Sequence, residues 1–188
     1  MNQASRNTFS FSPAQPYIGD RNLKTIDPRP CGENNSNPML NDVYNRRILE
    51  LAGGIPRLGR LDAPDASATA HSKLCGSTVT VDLKMDGDTV TDFAHDVKAC
   101  ALGQASSSIM ARNVVGAKAT ELRALRENVR RMLKENGAPP ADGKWADIAV
   151  LEPVRDYKAR HASTMLTFDA VVDAIGQIET RAKQPASA

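Results

Sequence analysis

Three cysteines (Cys31, Cys75 and Cys100) and three histidines (His71, His95 and His161) are the side chains with the most chemistry to offer. Thiolate and imidazole together suit zinc or iron. No C-x2-C pair is present, so the spacing is not that of a zinc finger. Three cysteines cannot build a disulfide framework, and Cys75 and Cys100 read as free thiols of a reducing compartment. A disulfide between them is a minor alternative, needing a Cα separation below about 7 Å. The bland alternative is that a cysteine is more often a small buried hydrophobe than a ligand. His71 lies four residues before Cys75, and His161 precedes the last predicted helix. His95 falls on the apolar face of a predicted strand and reads as a satisfied core residue.

Other chemistries lack their parts. Ser106-Ser107-Ser108 is not the G-x-S-x-G of a nucleophile elbow. Leu58-Gly59-Arg60 lacks the lysine and second glycine of a phosphate loop. Arg123, Arg126, Arg130, Arg131 and Lys134 share one predicted helix. Such a run reads first as a solvated face, with a docking surface for an acidic partner as the alternative.

The thiols need a frame, and a hairpin supplies it. Val79, Val81, Leu83 and Met85 alternate with Thr80, Asp82 and Lys84, then Asp86-Gly87-Asp88 turns the chain. Thr91, Phe93, His95 and Val97 fall on one face of the return strand. Matching the apolar faces pairs Val79 with His95 and Val81 with Phe93, and sets Cys75 opposite Ala99. Cys75 and Cys100 then meet at the open end of the hairpin. Strict alternation puts them on opposite faces, unless a bulge or an early strand end turns both the same way. Cys100 also precedes a helix predicted to begin near Leu102, and a helix N-terminus favours the thiolate form. Gly76 after Cys75 permits close backbone approach.

Around the hairpin, helical periodicity runs over Leu40–Leu51, 101–115, 118–135 and a final stretch from Tyr157 or Ser163 to Ile178. Trp145–Leu151 reads as a short helix interrupted by Pro153, and Pro56–Ser72 as an ordered loop. Strands followed by helices predict an α+β fold: a small antiparallel β-sheet with helices packed on one face. Residues 1–38 are rich in Asn, Ser and Pro without apolar period, and read as a flexible, disordered extension ahead of a domain over 39–188. The 188 residues are 41% hydrophobic but only 4% aromatic, so aliphatic side chains must fill the core. A net charge of +2 gives no case for a nucleic-acid partner. No apolar run reaches the ~20 residues that span a bilayer, so no membrane role is expected. The cytoplasm is the expected compartment. The mitochondrion is the alternative if residues 1–38, whose first acid is Asp20, form a transit peptide.

These residues carry a family resemblance. The stretch from about 39 to 180 resembles the iron–sulfur cluster assembly scaffold family, the IscU type that also forms the N-terminal domain of NifU. Tyr44-Asn45-Arg46-Arg47-Ile48-Leu49 and Ile55-Pro56-Arg57-Leu58-Gly59 look like the family's opening helix and its Pro-Arg…Gly loop. Cys75-Gly76-Ser77 falls on its Cys-Gly-Asp, and Cys100-Ala101-Leu102-Gly103-Gln104-Ala105-Ser106-Ser107-Ser108 on its second cysteine and Ala-Ser-Ser-Ser helix start. Leu151-Glu152-Pro153-Val154-Arg155 looks like its Leu-Pro-Pro-Val-Lys element.

The resemblance implies a scaffold or carrier rather than an enzyme. It would accept sulfur as persulfide from a cysteine desulfurase, take iron, and pass a transient [2Fe–2S] cluster to iron–sulfur apo-proteins, with a chaperone as a further partner. A related branch holds zinc at a similar site and acts as a sulfur acceptor. Cys75 and Cys100 are the implied ligands, with Cys100 the expected persulfide acceptor. Two departures stand out: Ser77 replaces the family's Asp, and the third cysteine is absent, its place falling on Ser163 or on Ala162. His161, His71 or Ser163 are the candidates to complete the ligand set. A dimer bringing four cysteines together is the alternative to a monomer. Two further readings are a degenerate adaptor that binds assembly partners without a cluster, and a structural zinc site.

Overall fold

The computed structural model describes residues 46–140 and 143–183. The predicted extension, Cys31 and the first turn of the helix predicted from Leu40 lie outside the described residues. The rest of that helix is α1 (Arg46–Gly53), which buries Ile48 and Leu51 three positions apart on one face. Among the described residues, no helix is long and apolar enough to cross a membrane.

Among the described residues the sheet has three antiparallel strands, β1 (Ala66–His71), β2 (Thr78–Asp86) and β3 (Thr89–Lys98), in the order β1-β2-β3. Strand β1 corrects the predicted loop over Pro56–Ser72. Its sequence, Ala-Ser-Ala-Thr-Ala-His, has one β-branched residue and no bulky apolar side chain, so local preference gives little sign of a strand. Pairing with β2 makes it one: Ala66 faces Leu83, Ala68 faces Val81, and the Thr69 and Thr80 hydroxyls lie 2.9 Å apart.

The hairpin is present, but its register differs from the prediction. Val79 pairs with Val97, Val81 with His95 and Leu83 with Phe93. Two local features account for the shift. The turn has two residues, Gly87 and Asp88, between the paired Asp86 and Thr89, rather than three. A bulge then follows, because Met85 pairs with Val90 while Lys84 pairs with Asp92, which leaves Thr91 as the extra residue. The bulge also changes which face the strand buries. Val90 is buried and Thr91 exposed, where strict alternation had put Thr91 on the apolar face.

The helical half follows as α2 (Ala101–Asn113), α3 (Ala119–Lys134), a 3₁₀ segment (Gly143–Asp156) and α4 (Lys158–Lys183). Pro153 does not end the 3₁₀ segment. Its ring holds φ near the value that 3₁₀ turns use, so the predicted interruption is absent. Helix α4 lies against β1 and β2, and α2 and α3 pack on α4. The core therefore sits between one sheet face, with Val79, Val81 and Leu83 fully buried, and the helices, with Leu102, Ile109, Val129 and Phe168. Each such side chain contributes roughly 1.5–3 kcal/mol by leaving water. This is the α+β arrangement expected, with the helices on one face.

The opposite face is closed at its centre by the connection from α1. The Arg60 guanidinium binds both oxygens of Asp82, at 2.6 and 2.8 Å, and the Ser67 hydroxyl and Leu61 N–H donate to the same carboxylate. Burial alone would raise the Asp82 pKa. The Arg60, Ser67 and Leu61 donors outweigh it and hold the carboxyl below its usual range. This anchor fixes the sheet from behind while the helices pack in front.

Candidate functional site

Cys75 sits in the tight turn between β1 and β2. The Ser72 N–H donates to the Ser77 carbonyl and the Gly76 N–H to the Ser72 carbonyl, both at 2.9 Å. Gly76 takes φ +68°, a left-handed conformation that glycine adopts without a Cβ penalty. The closed turn brings the hydroxyl oxygens of Ser72 and Ser77 to 3.3 and 3.0 Å from the Cys75 sulfur. Both serines are buried while Cys75 is exposed. When the thiol ionises, both hydroxyls can donate to the sulfur. The Ser72 hydroxyl, then the Ser77 hydroxyl and backbone N–H, lower the Cys75 pKa to about 7, with the Arg160 charge adding to them.

Cys100 is held differently. It is the residue before α2, in extended backbone (φ −66°, ψ 169°), and its side chain does not cap the helix. Its thiol, half-buried, faces Ser163 of α4, with sulfur and hydroxyl oxygen 3.5 Å apart. The Ser163 hydroxyl donates to the Arg160 carbonyl at 3.0 Å, which leaves its oxygen free to accept from the thiol. Gly103 makes this approach possible. A Cβ there would lie 2.7 Å from the Ala99 Cβ and 3.0 Å from the Ser163 carbonyl oxygen. The heads of α2 and α4 touch because this position carries no side chain.

Both thiols lie beyond the same end of the sheet. Thr78 and Lys98 form the last pair of β2 and β3, so Cys75 lies before β2 and Cys100 after β3 at that end. Helix α4 connects the two, with Ser163 on Cys100 and Arg160 close enough to bias Cys75. The register correction leaves both thiols at this end of the sheet. The early end of β3, at Lys98, is what frees Cys100 from strict alternation.

The histidines are placed differently: His71 at the same sheet end, His161 and His95 buried. His161 is buried, and its Nε2 lies 3.1 and 3.0 Å from the carbonyl oxygens of Val154 and Arg155, so it acts as a donor to the 3₁₀ segment. His71 pairs through Nδ1 with the Thr78 hydroxyl at 3.1 Å, at the sheet end. His95 is fully buried against Phe93 and its Nε2–H donates to the Pro56 carbonyl, a core residue as expected, but not a fully satisfied one, since its Nδ1 has no hydrogen-bond partner among the described residues. Among the described residues, no three His, Cys, Asp or Glu side chains are gathered into a metal-holding group. Of the candidates to join the thiols, Ser163 is brought to Cys100, while His161 is committed to backbone carbonyls. Ala162 is exposed and does not occupy Ser163's place. Ser72 and Arg160 went unread in the sequence, and Ser77 stood out only as a departure from the family's Asp. The signal was a Ser-x-x-Cys-Gly-Ser turn, in which a left-handed glycine aims two hydroxyls at one sulfur.

Comparison with known proteins agrees with this architecture. The profile described as NifU-like N terminal domain matches residues 43–164. A crystal structure of a nitrogen-fixing NifU-like protein (N-terminal) from Brucella abortus is 68% identical, with a TM-score of 0.75, over 76% of this chain and 99% of that one. The iron–sulfur cluster assembly scaffold protein IscU of Thermotoga maritima is 25% identical over 136 residues, 72% of this chain and 94% of its own length. Its namesake from Streptococcus pyogenes serotype M1 is 27% identical over 138 residues, 72% of this chain and 84% of its own. With the matched region running from α1 into the Cys100–Ser163 contact, the chain belongs to the NifU-like N-terminal domain family.

Proposed function

We propose that this protein is an iron–sulfur cluster assembly scaffold in which Cys75 receives sulfur and Cys75 and Cys100 together hold the growing cluster as cargo. The observation that carries this reading is the pairing of an exposed thiol of pKa about 7 with a second thiol at the same sheet end. With its pKa lowered to about 7, Cys75 is more readily thiolate at neutral pH than an ordinary thiol, and the thiolate is both nucleophile and iron ligand. In the transfer step it attacks the terminal sulfur of a donor persulfide. A new S–S bond forms at Cys75 as the donor's S–S bond breaks, and the donor leaves as thiolate. A cysteine desulfurase is the donor that supplies such a persulfide.

This assignment moves the acceptor role from Cys100, favoured on sequence, to Cys75. Cys75 is the exposed thiol, whereas Cys100 is half-buried against Ser163. Clusters of the [2Fe–2S] type take four thiolates. Two thiolates and a neutral hydroxyl hold less tightly, which suits delivery to apo-proteins over storage. The same shortage supports a second reading, an adaptor that binds assembly partners without cargo, because Ser163 stands where a third sulfur would be needed. A resident zinc ion has the least support, since among the described residues no histidine is gathered with both thiols into a metal-holding group.

Anaerobic incubation of the full chain with ferrous iron, sulfide and a desulfurase, followed by visible absorption and iron and sulfide analysis, separates the readings. Equal amounts of iron and sulfide, lost in both Cys75→Ala and Cys100→Ala, are expected. Absence of iron with the desulfurase still captured would establish the adaptor instead.

A further inference from the structure

Beside the thiol end lies a cleft of about 380 Å³ between α3 and the first half of α4. Its lining holds four cations, Arg126, Arg130, Lys134 and Lys158, against one carboxylate, Asp169. Two of the four are already satisfied. Arg126 binds Asp169 at 2.6 Å, and Arg130 sits between Glu127 and Glu135 at 2.7 and 2.9 Å. Most of the basic run read in the sequence is therefore neutralised, including Arg123, which binds Glu179. Lys134 and Lys158 are different. Each lines both this cleft and the adjoining one of about 620 Å³, and neither makes an ion pair among the described residues. The first turn of α4 begins Lys158-Ala159-Arg160 and contains no acid, so the helix adds to the positive field rather than offsetting it. Met165 and Leu166, both buried, underlie the cleft.

We infer that this cleft is a docking site for an acidic peptide segment of a protein partner, seated on Lys134 and Lys158. The inference rests on the scaffold reading only for why a partner comes to this end. The position fits that purpose: Ala162 lines the cleft next to Ser163, and His71 lines it at the start of the turn that carries Cys75. Two open cations over an apolar floor match carboxylate side chains on an extended chain. They are too few for a nucleic-acid backbone, which is bound by a long row of cations. A concave site of this size does not match a flat lipid surface. On the thiol turn itself, Leu74 stands 78% exposed, an apolar contact the same partner would cover.

The test uses the full chain without iron or sulfur donor, so its result does not depend on cluster assembly. A fluorescently labelled hexaglutamate peptide is titrated at 50 and 500 mM NaCl. Saturable binding at low salt that weakens at high salt is expected. Lys134→Glu with Lys158→Glu should weaken binding on the order of tenfold, since surface pairs are worth up to about 1 kcal/mol each. Lys134→Arg with Lys158→Arg should retain it. Lys84→Glu with Lys183→Glu, the same charge change away from the cleft, should leave most of it, and thermal melting checks that each variant folds. No saturable binding, equal loss in the two charge-reversal variants, or displacement by equimolar inorganic phosphate would overturn the assignment.

Discussion

Cys75 and Cys100 stand at one end of the same sheet on supports of opposite kind. Cys75 rides a six-residue turn, Ser72–Ser77, whose closure rests on two backbone hydrogen bonds and a left-handed glycine. Cys100 heads α2, a helix buried along most of its length, including Ser106, Ser107 and Ser108. The turn tunes a sulfur and leaves it accessible. The helix fixes a sulfur and packs it against α4. The accessible thiol thus rides an exposed turn and the half-buried one a packed helix head, a division that suits the proposed carrier, which must accept sulfur at the first and hold cargo between both.

If this contrast is right, equivalent small changes should act differently at the two ends. The largest stability effect is expected from Gly103→Ala. The new methyl meets the Ala99 Cβ and a backbone carbonyl, neither able to swing aside. Overpacking of this kind costs about 1–3 kcal/mol, and better helix propensity returns less than about 1. A net loss of about 2 kcal/mol in chemical denaturation is expected, together with a disturbed Cys100–Ser163 contact. Wild-type stability in this variant would mean that the helix heads are not tightly packed.

The next effect is chemical and confined to the turn. Ser72→Ala with Ser77→Ala removes both hydroxyls from the Cys75 sulfur, and its pKa should climb from about 7 toward the ordinary thiol range. Below pH 7 the native thiol is protonated and slow to react, and above it the thiolate dominates. The midpoint of the iodoacetamide rate–pH profile should therefore move upward in the variant. At pH 7 the loss of thiolate outweighs the gain in intrinsic nucleophilicity, giving alkylation about fivefold slower. An unchanged midpoint would show that the hydroxyls do not tune this sulfur.

Smaller again is Gly76→Ala. No atom lies within 4 Å of the added Cβ, so the cost is that of the left-handed backbone alone, about 1 kcal/mol. Stability should fall less than for Gly103→Ala, while the Cys75 alkylation rate should change more. The reverse ranking would dissolve the distinction between the two regions.

The hairpin, the helices after it and the placing of two distant thiols at one sheet end were all legible, because alternation and helical periodicity report which side chains face the core. What stayed hidden was set by interactions without a local signature. Strand β1 is made of alanines that become a strand only beside Val79, Val81 and Leu83. The register turned on Thr91, whose bulge no periodicity announces. At the site, Cys75, Cys100 and Ser163 could be named from residue type and resemblance. The preference for Cys75 could not, because it depends on how a turn aims Ser72 and Ser77.

We propose that the turn accepts sulfur at Cys75 before Cys75 and Cys100 together hold the cargo. The most direct test is intact-protein and peptide mass spectrometry after a short anaerobic incubation of the full chain with a desulfurase and cysteine, without iron. A +32 Da adduct, about one sulfur atom, is expected on the peptide containing Cys75, retained in Cys100→Ala and absent in Cys75→Ala. An adduct on Cys100 that survives in Cys75→Ala would contradict it.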